Sequence, residues 1–497
     1  MPIPKEILAV KRPVNTIVIV YGKNKNHYAV RQRVGCRLVD GRHIPINGPT
    51  IGHIQNGVYV PKSEHPTPVS QDHVDLKDWA NIQLCDSLFS DILAELRKLY
   101  NEDDALKIYC ITLLRVCNPG ISDYELKEAY EDSFLSELYP GVAMHRITIC
   151  TFLNNLGKTC SRIVEFMRRR AESIVADHHI LIDGTLKSDE SKVNTLSDFS
   201  RKAKTKGTRD ISILYAVDLE TMEPVCSKRY LGNMVDARSY ADFLEEYNLT
   251  KGLIVGDKGF PMGAATNVFN ANKDLHYLNP IKRNAKVIKT YDMLNYEGAL
   301  KGNDGVLYKK VKCKNCNKYL YAFRDANRAA KEEHDYLKRS EGKNKFNDKD
   351  FKERQATFGV IIFECDLNLD PEVVFKAYSR RWEIEVIMRF YKSACDFDKT
   401  RVHDDYSNIG SEFCDFLASL LTCRLIKRFD NAKLLEEETY KRLMSILRRC
   451  KKIYTHGKWK LIRINNSYVK MLQQLGLLEA PAVQEKKKRG RPRKTTI

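Results

Sequence analysis

The stretch from Asp370 to Cys395 restricts the possible fold most strongly, because its composition favours a single helix. Asp370 suits the N-cap position, Pro371 suits the first helical position, and residues 377–392 contain no Gly or Pro. At about 100° per residue, four polar side chains fall on one stripe of this helix. They are Tyr378, Arg381, Glu385 and Lys392. An acid beside two cations and a phenol is typical of a site that holds a metal ion and a phosphodiester.

Two short apolar runs upstream each lead into an aspartate. The run 180–182 precedes Asp183, and the run 253–255 precedes Gly256 and Asp257. Because such runs alternate here with helical patterns, we predict a mixed α/β sheet with both aspartates at strand ends. Ligands of open α/β sheets bind at the carboxyl ends of the strands, so the two acids are expected to meet there.

Three acids that converge require cations. Asp183, Asp257 and Glu385 would repel one another without them, and two Mg²⁺ ions, with Mn²⁺ as a substitute, are the usual arrangement for in-line displacement at phosphorus. Each acid taken alone has a simpler interpretation. The tripeptide that begins at Asp183 suits a turn, and Arg381 with Glu385 suits an ordinary helix ion pair.

The spacing of four helix residues resembles the signature of a large group of bacterial insertion-sequence DDE transposases, insertion-sequence family four and its relatives. These residues are Tyr378, Arg381, Glu385 and Lys392. The segments that begin at Asp183 and Asp257 look similar to the first and second acid motifs of that group. The resemblance covers residues 178–430 and implies an RNase H-like catalytic domain.

The resemblance also implies roles for these residues. Asp183, Asp257 and Glu385 would bind the metal ions, and the other signature residues would bind phosphates beside the cleaved strand. The implied activity is metal-dependent endonuclease cleavage and strand transfer, by which an insertion sequence is cut and pasted. In hairpin-forming relatives an aromatic residue stacks on a flipped base, for which Phe358 and Trp382 are candidates here. Two alternatives stay open: a repurposed transposase that only binds DNA, and an RNase H-like nuclease without strand transfer.

The charge of the chain favours the same partner. Among 497 residues, 83 Lys and Arg against 64 Asp and Glu give a formal net charge of +19, which is typical of nucleic-acid-binding proteins. We expect double-stranded DNA as the partner, both the terminal inverted repeats and the target, with a homodimer in the synaptic complex. The sequence has no apolar run of membrane-span length and no signal-peptide core, and its 14 Cys are scattered. We therefore expect no membrane association, reduced thiols, and a bacterial cytoplasmic protein associated with the nucleoid.

Changes in the residue pattern divide the chain into several domains within an α/β multidomain fold. Residues 122–139 are predicted as one helix. The predicted domains are a β-rich N-terminal module over 1–72, a helical, DNA-binding domain over 73–175, an RNase H-like catalytic domain over 176–284 and 358–430, a β-rich insertion over 285–357, a helical C-terminal domain over 431–478, and a disordered basic tail over 479–497.

Two weaker patterns complete the sequence. The tail residues Arg489, Gly490, Arg491 and Pro492 resemble an AT-hook, which lies extended in the narrow minor groove of A·T-rich DNA. The alternative is a solvated basic tail without base preference. Cys313 and Cys316 have the spacing of half a zinc site, but a hairpin turn with two thiols is the simpler interpretation.

Overall fold

The computed structural model describes most of the chain and divides it into two compact units. The described residues are 3–20, 28–39, 42–62, 75–191, 193–200, 207–233, 236–256, 263, 265–314, 316–341, 346–380, 399–400 and 402–479. The smaller unit consists of residues 1–75 with 454–459, and the larger of residues 76–453 with 460–497.

The smaller unit is built on a four-stranded antiparallel sheet in the order β1-β2-β3-β4. Its elements are the short helix α1 Lys5–Leu8 and the strands β1 Thr16–Val20, β2 Tyr28–Val39, β3 Arg42–Gln55 and β4 Val58–Pro61. Its buried core consists of Val18, Tyr28, Val30 and Ile54. This core lies where β1 pairs with β2 and where β3 approaches β4, so it supports one end of the long strands β2 and β3.

The larger unit begins with the strand β5 Asp75–Asp78 and a set of helices. These helices are α2 Ala80–Arg97, α3 Glu102–Cys117, α4 Leu126–Glu131, α5 Leu135–Leu138, α6 Arg146–Lys158 and α7 Cys160–Glu172. Asn101 caps α3, because its side-chain oxygen accepts a hydrogen bond from the N–H of Asp104 at 2.8 Å.

The prediction of one helix over 122–139 is wrong, since α4 ends at Glu131 and α5 begins only at Leu135. The backbone between them is hydrogen-bonded to β5 instead. Asp78 donates its N–H to the carbonyl of Asp132 at 2.9 Å, and Phe134 donates its N–H to the carbonyl of Asp78 at 2.8 Å. A helix cannot continue through groups that are committed to a strand.

The centre of the larger unit is a mixed sheet with ten strands among the described residues. Its order is β12-β13-β14-β15-β11-β10-β6-β8-β7, and β9 pairs with β8. The strands are β6 His179–Asp189, β7 Asp198–Phe199, β8 Arg209–Asp218, β9 Glu223–Leu231, β10 Lys251–Val255, β11 Asp274–Ile281, β12 Gly298–Ala299, β13 Val306–Lys312, β14 Tyr319–Asp325 and β15 Val360–Cys365.

The predicted mixed α/β sheet is confirmed by the pairing of its first five long strands. β6, β8 and β9 are antiparallel in succession, whereas β10 is parallel to both β6 and β11. Parallel neighbours need crossover connections, which contain α8 Asp236–Glu246 before β10 and α9 Thr266–Ala271 before β11. Ile180, Leu181 and Ile182 are buried in the middle of this sheet.

The segment 285–357 is not a separate β-rich unit as predicted. Its hairpin of β13 and β14 extends the central sheet, because β14 pairs with β15 and β15 pairs with β11. The segment also contains the helices α10 Lys286–Thr290, α11 Ala326–Glu341 and α12 Asp348–Gln355. The hairpin turn predicted at Cys313 and Cys316 is present, but local sequence could not show that β15 pairs with the edge of this hairpin.

The helix α14 Asp405–Asn431 follows α13 Pro371–Ser379 among the described helices and is buried on most of its faces. It crosses α6 at very short range. A Cβ atom added at Gly410 would lie 2.2 Å from the carbonyl oxygen of Leu153, and one added at Gly157 would lie 1.9 Å from the carbonyl oxygen of Tyr406. None of the described helices is both long enough and apolar enough to cross a membrane.

The C-terminal region is only partly helical, contrary to the prediction for 431–478. A 3₁₀ turn at Leu434–Glu436 and the helices α15 Tyr440–Arg449 and α16 Asn466–Gln474 flank the strands β16 Lys451–Thr455 and β17 Lys458–Leu461. These two strands form a three-stranded sheet with β5 in the order β17-β16-β5. His456 and Gly457, both with positive φ, form the tight turn between the two strands. A prediction from helical periodicity does not detect such a turn.

Replacement of Gly410 by Ala tests the close crossing of α6 and α14. Helix propensity alone predicts that this change stabilises the protein by about 1 kcal/mol. The contact with Leu153 predicts the opposite sign, a destabilisation of about 1–3 kcal/mol, because the two helices must move apart. Thermal unfolding distinguishes the two, with Gly298→Ala as a control whose new Cβ would meet Tyr308 only at 3.5 Å. A raised melting temperature for Gly410→Ala would contradict the crossing.

Candidate active site around strand β6

Asp183 is located in the middle of β6, not at its end as predicted. The strand continues to Asp189 because β8 pairs with it over its whole length, with Asp183 opposite Tyr215 and Asp189 opposite Arg209. Asp183 is half-buried, and its Oδ1 accepts a hydrogen bond from the N–H of Gly184 at 2.8 Å. The Asp-Gly-Thr tripeptide is therefore part of an extended strand and not a turn.

The neighbour β10 accompanies β6 only up to a point just before Asp183. The last registered pair is Leu181 with Val255, where β10 ends. Each predicted acid follows its member of this pair by two positions, Asp183 after Leu181 and Asp257 after Val255. Asp257 itself lies outside the described residues. Asp183 is thus located at the level of the carboxyl end of the parallel neighbour, where such sheets bind ligands.

The predicted signature helix is described in its first part. The helix α13 begins at Pro371, as predicted, and Asp370 occupies the N-cap position without a capping hydrogen bond from its side chain. It ends at Ser379, and Arg380 follows as a turn residue. The predicted single helix over 370–395 can therefore be compared with the structure only as far as Arg380. Arg381, Trp382, Glu385 and Lys392 lie outside the described residues.

Tyr378, the described member of the signature, is half-buried against the sheet. Its ring meets the ring of Phe363 on β15 edge to face, with centroids 4.7 Å apart. Burial alone would lower the pKa of its neighbour Arg328 on α11. Glu332 outweighs burial and, together with a smaller effect of the Tyr378 phenol, raises that pKa. The ring therefore fixes α13 on the sheet, and the phenol lies beside a cation.

Phe358, a candidate for base stacking, is in a core position. It is 7% exposed, and its ring centroid lies 6.0 Å from that of Tyr336 and 6.3 Å from that of Phe351. A side chain enclosed by two aromatic rings cannot receive a base without leaving this cluster. The structure therefore contradicts that candidate, and the other, Trp382, lies outside the described residues.

The residues on both sides of 381–398 are fixed to β6. On one side, Arg380 donates to Glu220 Oε1 at 2.9 Å and to the carbonyl of Leu219, while Glu220 also accepts the N–H of His179, the first residue of β6, at 2.7 Å. On the other side, Thr400 donates its N–H to the carbonyl of Ser188 near the end of β6 at 2.8 Å. Asp183 lies between these two attachment points.

The face of β6 that carries Asp183 is held by buried charges. Lys187, four residues along and 3% exposed, donates to Asp415 Oδ2 at 2.8 Å and to Glu412, both on α14. Burial alone would lower the pKa of Lys187, but the charges of Asp415 and Glu412 outweigh it and raise that pKa. Arg115 on α3 donates to the other oxygen of Asp415 at 2.7 Å. The strand, α14 and α3 are thus joined through buried ion pairs, and breaking one of these pairs would strongly destabilise the protein.

A second group of possible metal ligands lies at the start of β6. His178, Asp218 and Glu220 place one ligand atom each within 4.8 Å of one another. All three are engaged with protein partners: His178 Nδ1 lies 2.8 Å from Asp218 Oδ2, Asp218 Oδ1 accepts the N–H of Glu220 at 2.8 Å, and Glu220 binds Arg380. No sequence pattern predicted this group, because only the pairing of Ile180 with Asp218 brings its members together.

Cys313 and Cys316 lie in the turn between β13 and β14. Cys313 donates its N–H to the carbonyl of Lys318 at 2.9 Å, which closes the turn. Burial, followed by the neighbouring thiol of Cys316, raises the pKa of Cys313. Among the described residues no third metal-binding group joins them, since His334 is exposed beside Asp335. The hairpin-turn interpretation fits this geometry.

The tail residues 489–492, predicted to resemble an AT-hook, lie outside the described residues.

Comparison with known proteins relates the part of the chain that contains β6 to transposases. Residues 176–408 match the family model described as "Transposase DDE domain", a span that includes Asp183, Asp257 and Glu385. No curated protein matches the chain. A similar solved structure is that of the piggyBac transposase synaptic complex with hairpin DNA, which is 14% identical, with 74% of this chain and 79% of that chain covered and a TM-score of 0.41.

Replacement of Arg380 by Ala tests the clasp between α13 and the start of β6. Loss of the Glu220 contact would let the residues after Arg380 shift, and a displacement of about 1 Å can lower a catalytic rate by about 100-fold. We expect slower metal-dependent DNA cleavage at saturating DNA, with unchanged DNA affinity and an almost unchanged melting temperature, since the pair is partly exposed.

Arg380→Lys should restore part of the rate. The control is Arg354→Ala, which removes a more exposed ion pair with Asp350 on α12. A wild-type cleavage rate for Arg380→Ala would show that the clasp does not position the site.

Proposed function

We propose that this protein is a cut-and-paste DDE transposase of the insertion-sequence type. It cleaves DNA at the ends of its element and joins the 3′-hydroxyls to target DNA. Asp183, Asp257 and Glu385 form its active site, and the RNase H-like core is the mixed sheet of β9, β8, β6, β10 and β11. The order of these strands, with three antiparallel and two further parallel ones, supports such a core.

The attachment of both ends of 381–398 to β6 carries this proposal. From His179 to Ser188 the strand spans about 30 Å. Arg380 and Thr400, which flank 381–398, are attached near the two ends of this strand, and Asp183 lies between the two attachment points. We propose that Glu385, which belongs to the segment between them, joins Asp183 in the active site. β10 ends beside Leu181, two positions before Asp183, and we propose that Asp257, two positions beyond the end of β10, joins the same site.

The chemistry of these donors fits divalent metal ions. Carboxylate oxygens are the ligands that Mg²⁺ and Mn²⁺ prefer, and each of the three acids supplies two of them. The N–H of Gly184, which donates to Oδ1 of Asp183, orients that carboxylate on the strand. When bound, two ions would supply an activated nucleophile and stabilise the leaving oxygen. Mg²⁺ bound by Asp183, Asp257 and Glu385 is our proposal for the cofactor.

The other residues of the signature act on the DNA backbone. Arg381 and Lys392 neutralise phosphates on either side of the cleaved bond, and Tyr378 donates its hydroxyl to one of them. The edge-to-face contact with Phe363 holds the Tyr378 ring and so limits where the hydroxyl can reach. The fixed sheet thus orients the phosphodiester against the carboxylates, which is how positioning lowers the barrier to in-line displacement.

The remaining parts of the chain serve DNA binding and assembly. We propose that residues 73–175 contact the inverted repeats, that 285–357 is the family's insertion in modified form, and that two copies meet in the synaptic complex. The tail residues Arg489, Gly490, Arg491 and Pro492 would hold A·T-rich DNA in the minor groove. A cytoplasmic protein at the bacterial nucleoid fits this activity.

The replacement Asp183→Asn tests the proposed active site. It preserves the shape of the side chain but removes the charge that holds a metal ion, so strand cleavage should fall by at least about 100-fold. This exceeds the loss of activity that follows when a residue hydrogen-bonded to a metal ligand is replaced. DNA binding and thermal stability should remain. Nicking of a plasmid that carries the element ends measures the first, and a gel-shift assay measures the second.

Asp257→Asn and Glu385→Gln should behave in the same way, whereas Asp177→Asn, an exposed neighbour of β6, should cleave normally. Cleavage by any of the three active-site variants would contradict the assigned triad. Cleavage without joining of 3′ ends to target DNA in the wild type would instead indicate a nuclease.

A further inference from the structure

The strands β2 and β3 continue beyond the sheet of the smaller unit as a two-stranded ribbon. We define the β2–β3 ribbon as Arg33–Val39 and Arg42–Asn47. The pairing of β1 with β2 ends at Gln32, and that of β4 with β3 begins at Gly52. Beyond the N–H of Arg33, which donates to the carbonyl of Asn15 at 2.7 Å, the two strands pair only with each other among the described residues.

The ribbon is exposed on both of its faces. Every residue from Gln32 to Leu38 and from His43 to Asn47 is exposed, including Val34 at 60% and Leu38 at 64%. Since paired residues lie on the same face, Arg37 with Ile44 and Leu38 with His43 lie on opposite faces. A two-stranded ribbon with no buried face gains little stability by itself in water, so a partner that covers one face would stabilise it.

The charge of the ribbon identifies the partner as an anion. Residues 28–62 contain four Arg and one Lys against a single acid, Asp40. Arg33 and Arg37 are exposed on the ribbon itself. A protein partner of mixed charge would not require such one-sided composition, whereas a phosphate backbone does.

The shape of the ribbon selects the groove. Two paired strands lie about 4.8 Å apart, and with their side chains they fit the major groove, about 12 Å wide, but not the minor groove of about 6 Å. The register of β2 against β3 shifts between Val30 and Gly35, and such bulges increase the twist of a ribbon. Ile44 and Ile46, exposed on the same face as Arg37, supply the apolar contacts that thymine methyl groups accept.

We propose that the β2–β3 ribbon inserts into the major groove of double-stranded DNA, with Arg33 and Arg37 on the flanking phosphates. This inference deepens the proposed function and rests on it for the presence of DNA. It gives the smaller unit a role that no motif in its sequence indicates.

The salt dependence of binding tests the phosphate contacts. Full-length protein carrying Arg33→Gln and Arg37→Gln is titrated against a fluorescein-labelled 40-base-pair duplex that contains an element end, at several salt concentrations. Each lost contact should reduce the slope of log Kd against log salt by about 1. The matched control is Lys352→Gln with Arg354→Gln, which removes two exposed cations already paired with Asp348 and Asp350 and should leave the slope unchanged.

The native thiol of Cys36 tests the groove without a charge change. Cys36 is exposed on the ribbon, 3.8 Å from His43 Nδ1. A duplex carrying a mixed disulfide tethered to cytosine N4 presents it in the major groove, so the Cys36 thiolate should displace the small thiol and become disulfide-linked to the DNA. The link should be absent in Cys36→Ser and with a tether on guanine N2, which lies in the minor groove.

The outcomes separate this inference from the proposed function. Wild-type salt slopes for the Arg33/Arg37 variant, or no Cys36-dependent link, would overturn the ribbon contact while cleavage by the wild type still supports the transposase. If Leu38→Ser with Ile44→Ser instead abolished a dimer in sedimentation and left the salt slope intact, the ribbon would bind a second copy and not DNA. Absence of any DNA binding or cleavage by the wild type would defeat the proposed function itself.

Discussion

The buried ion pairs of Lys187 fix the strand on which the candidate site depends. A buried ammonium and two carboxylates are expensive to remove from water, so they remain stable only while all partners stay in contact. Lys187 on β6, Asp415 and Glu412 on α14, and Arg115 on α3 satisfy this requirement together. Directional contacts with α14 and α3 therefore hold the strand in place. Asp183 lies four residues from Lys187 on the same face of β6, so its position is fixed as well.

The same strand explains how distant segments of the chain come together. β10 joins one edge of β6 and ends two residues before the level of Asp183, and β8 covers the other edge completely. Arg380 and Thr400 attach the flanks of 381–398 to the two ends of the strand. A site assembled from three separate segments thus needs only one well-fixed strand as its reference. The clasp of Arg380, Glu220 and His179 adds little stability, because the ion pair is partly exposed, but it fixes Arg380 beside the start of β6.

Sequence patterns predicted the parts of this fold that depend on local residue order. The apolar runs at 180–182 and 253–255 are strands, the hairpin of β13 and β14 is present, and α13 begins at Pro371. Failures occurred where a tertiary contact overrides a local preference. Hydrogen bonds from β5 divide the predicted helix at 122–139, and pairing with β8 extends β6 beyond Asp183. The Glu220 clasp had no local signal, because its partners are 160 residues apart.

Anomalous diffraction from full-length protein crystals soaked in Mn²⁺ locates the metal ions most directly. The account predicts two peaks about 4 Å apart, each within about 2.5 Å of carboxylate oxygens from Asp183, Asp257 and Glu385. A peak among His178, Asp218 and Glu220, with none beside Asp183, would contradict it. The metal would then bind at the start of β6, and the three proposed acids would not share a metal ion.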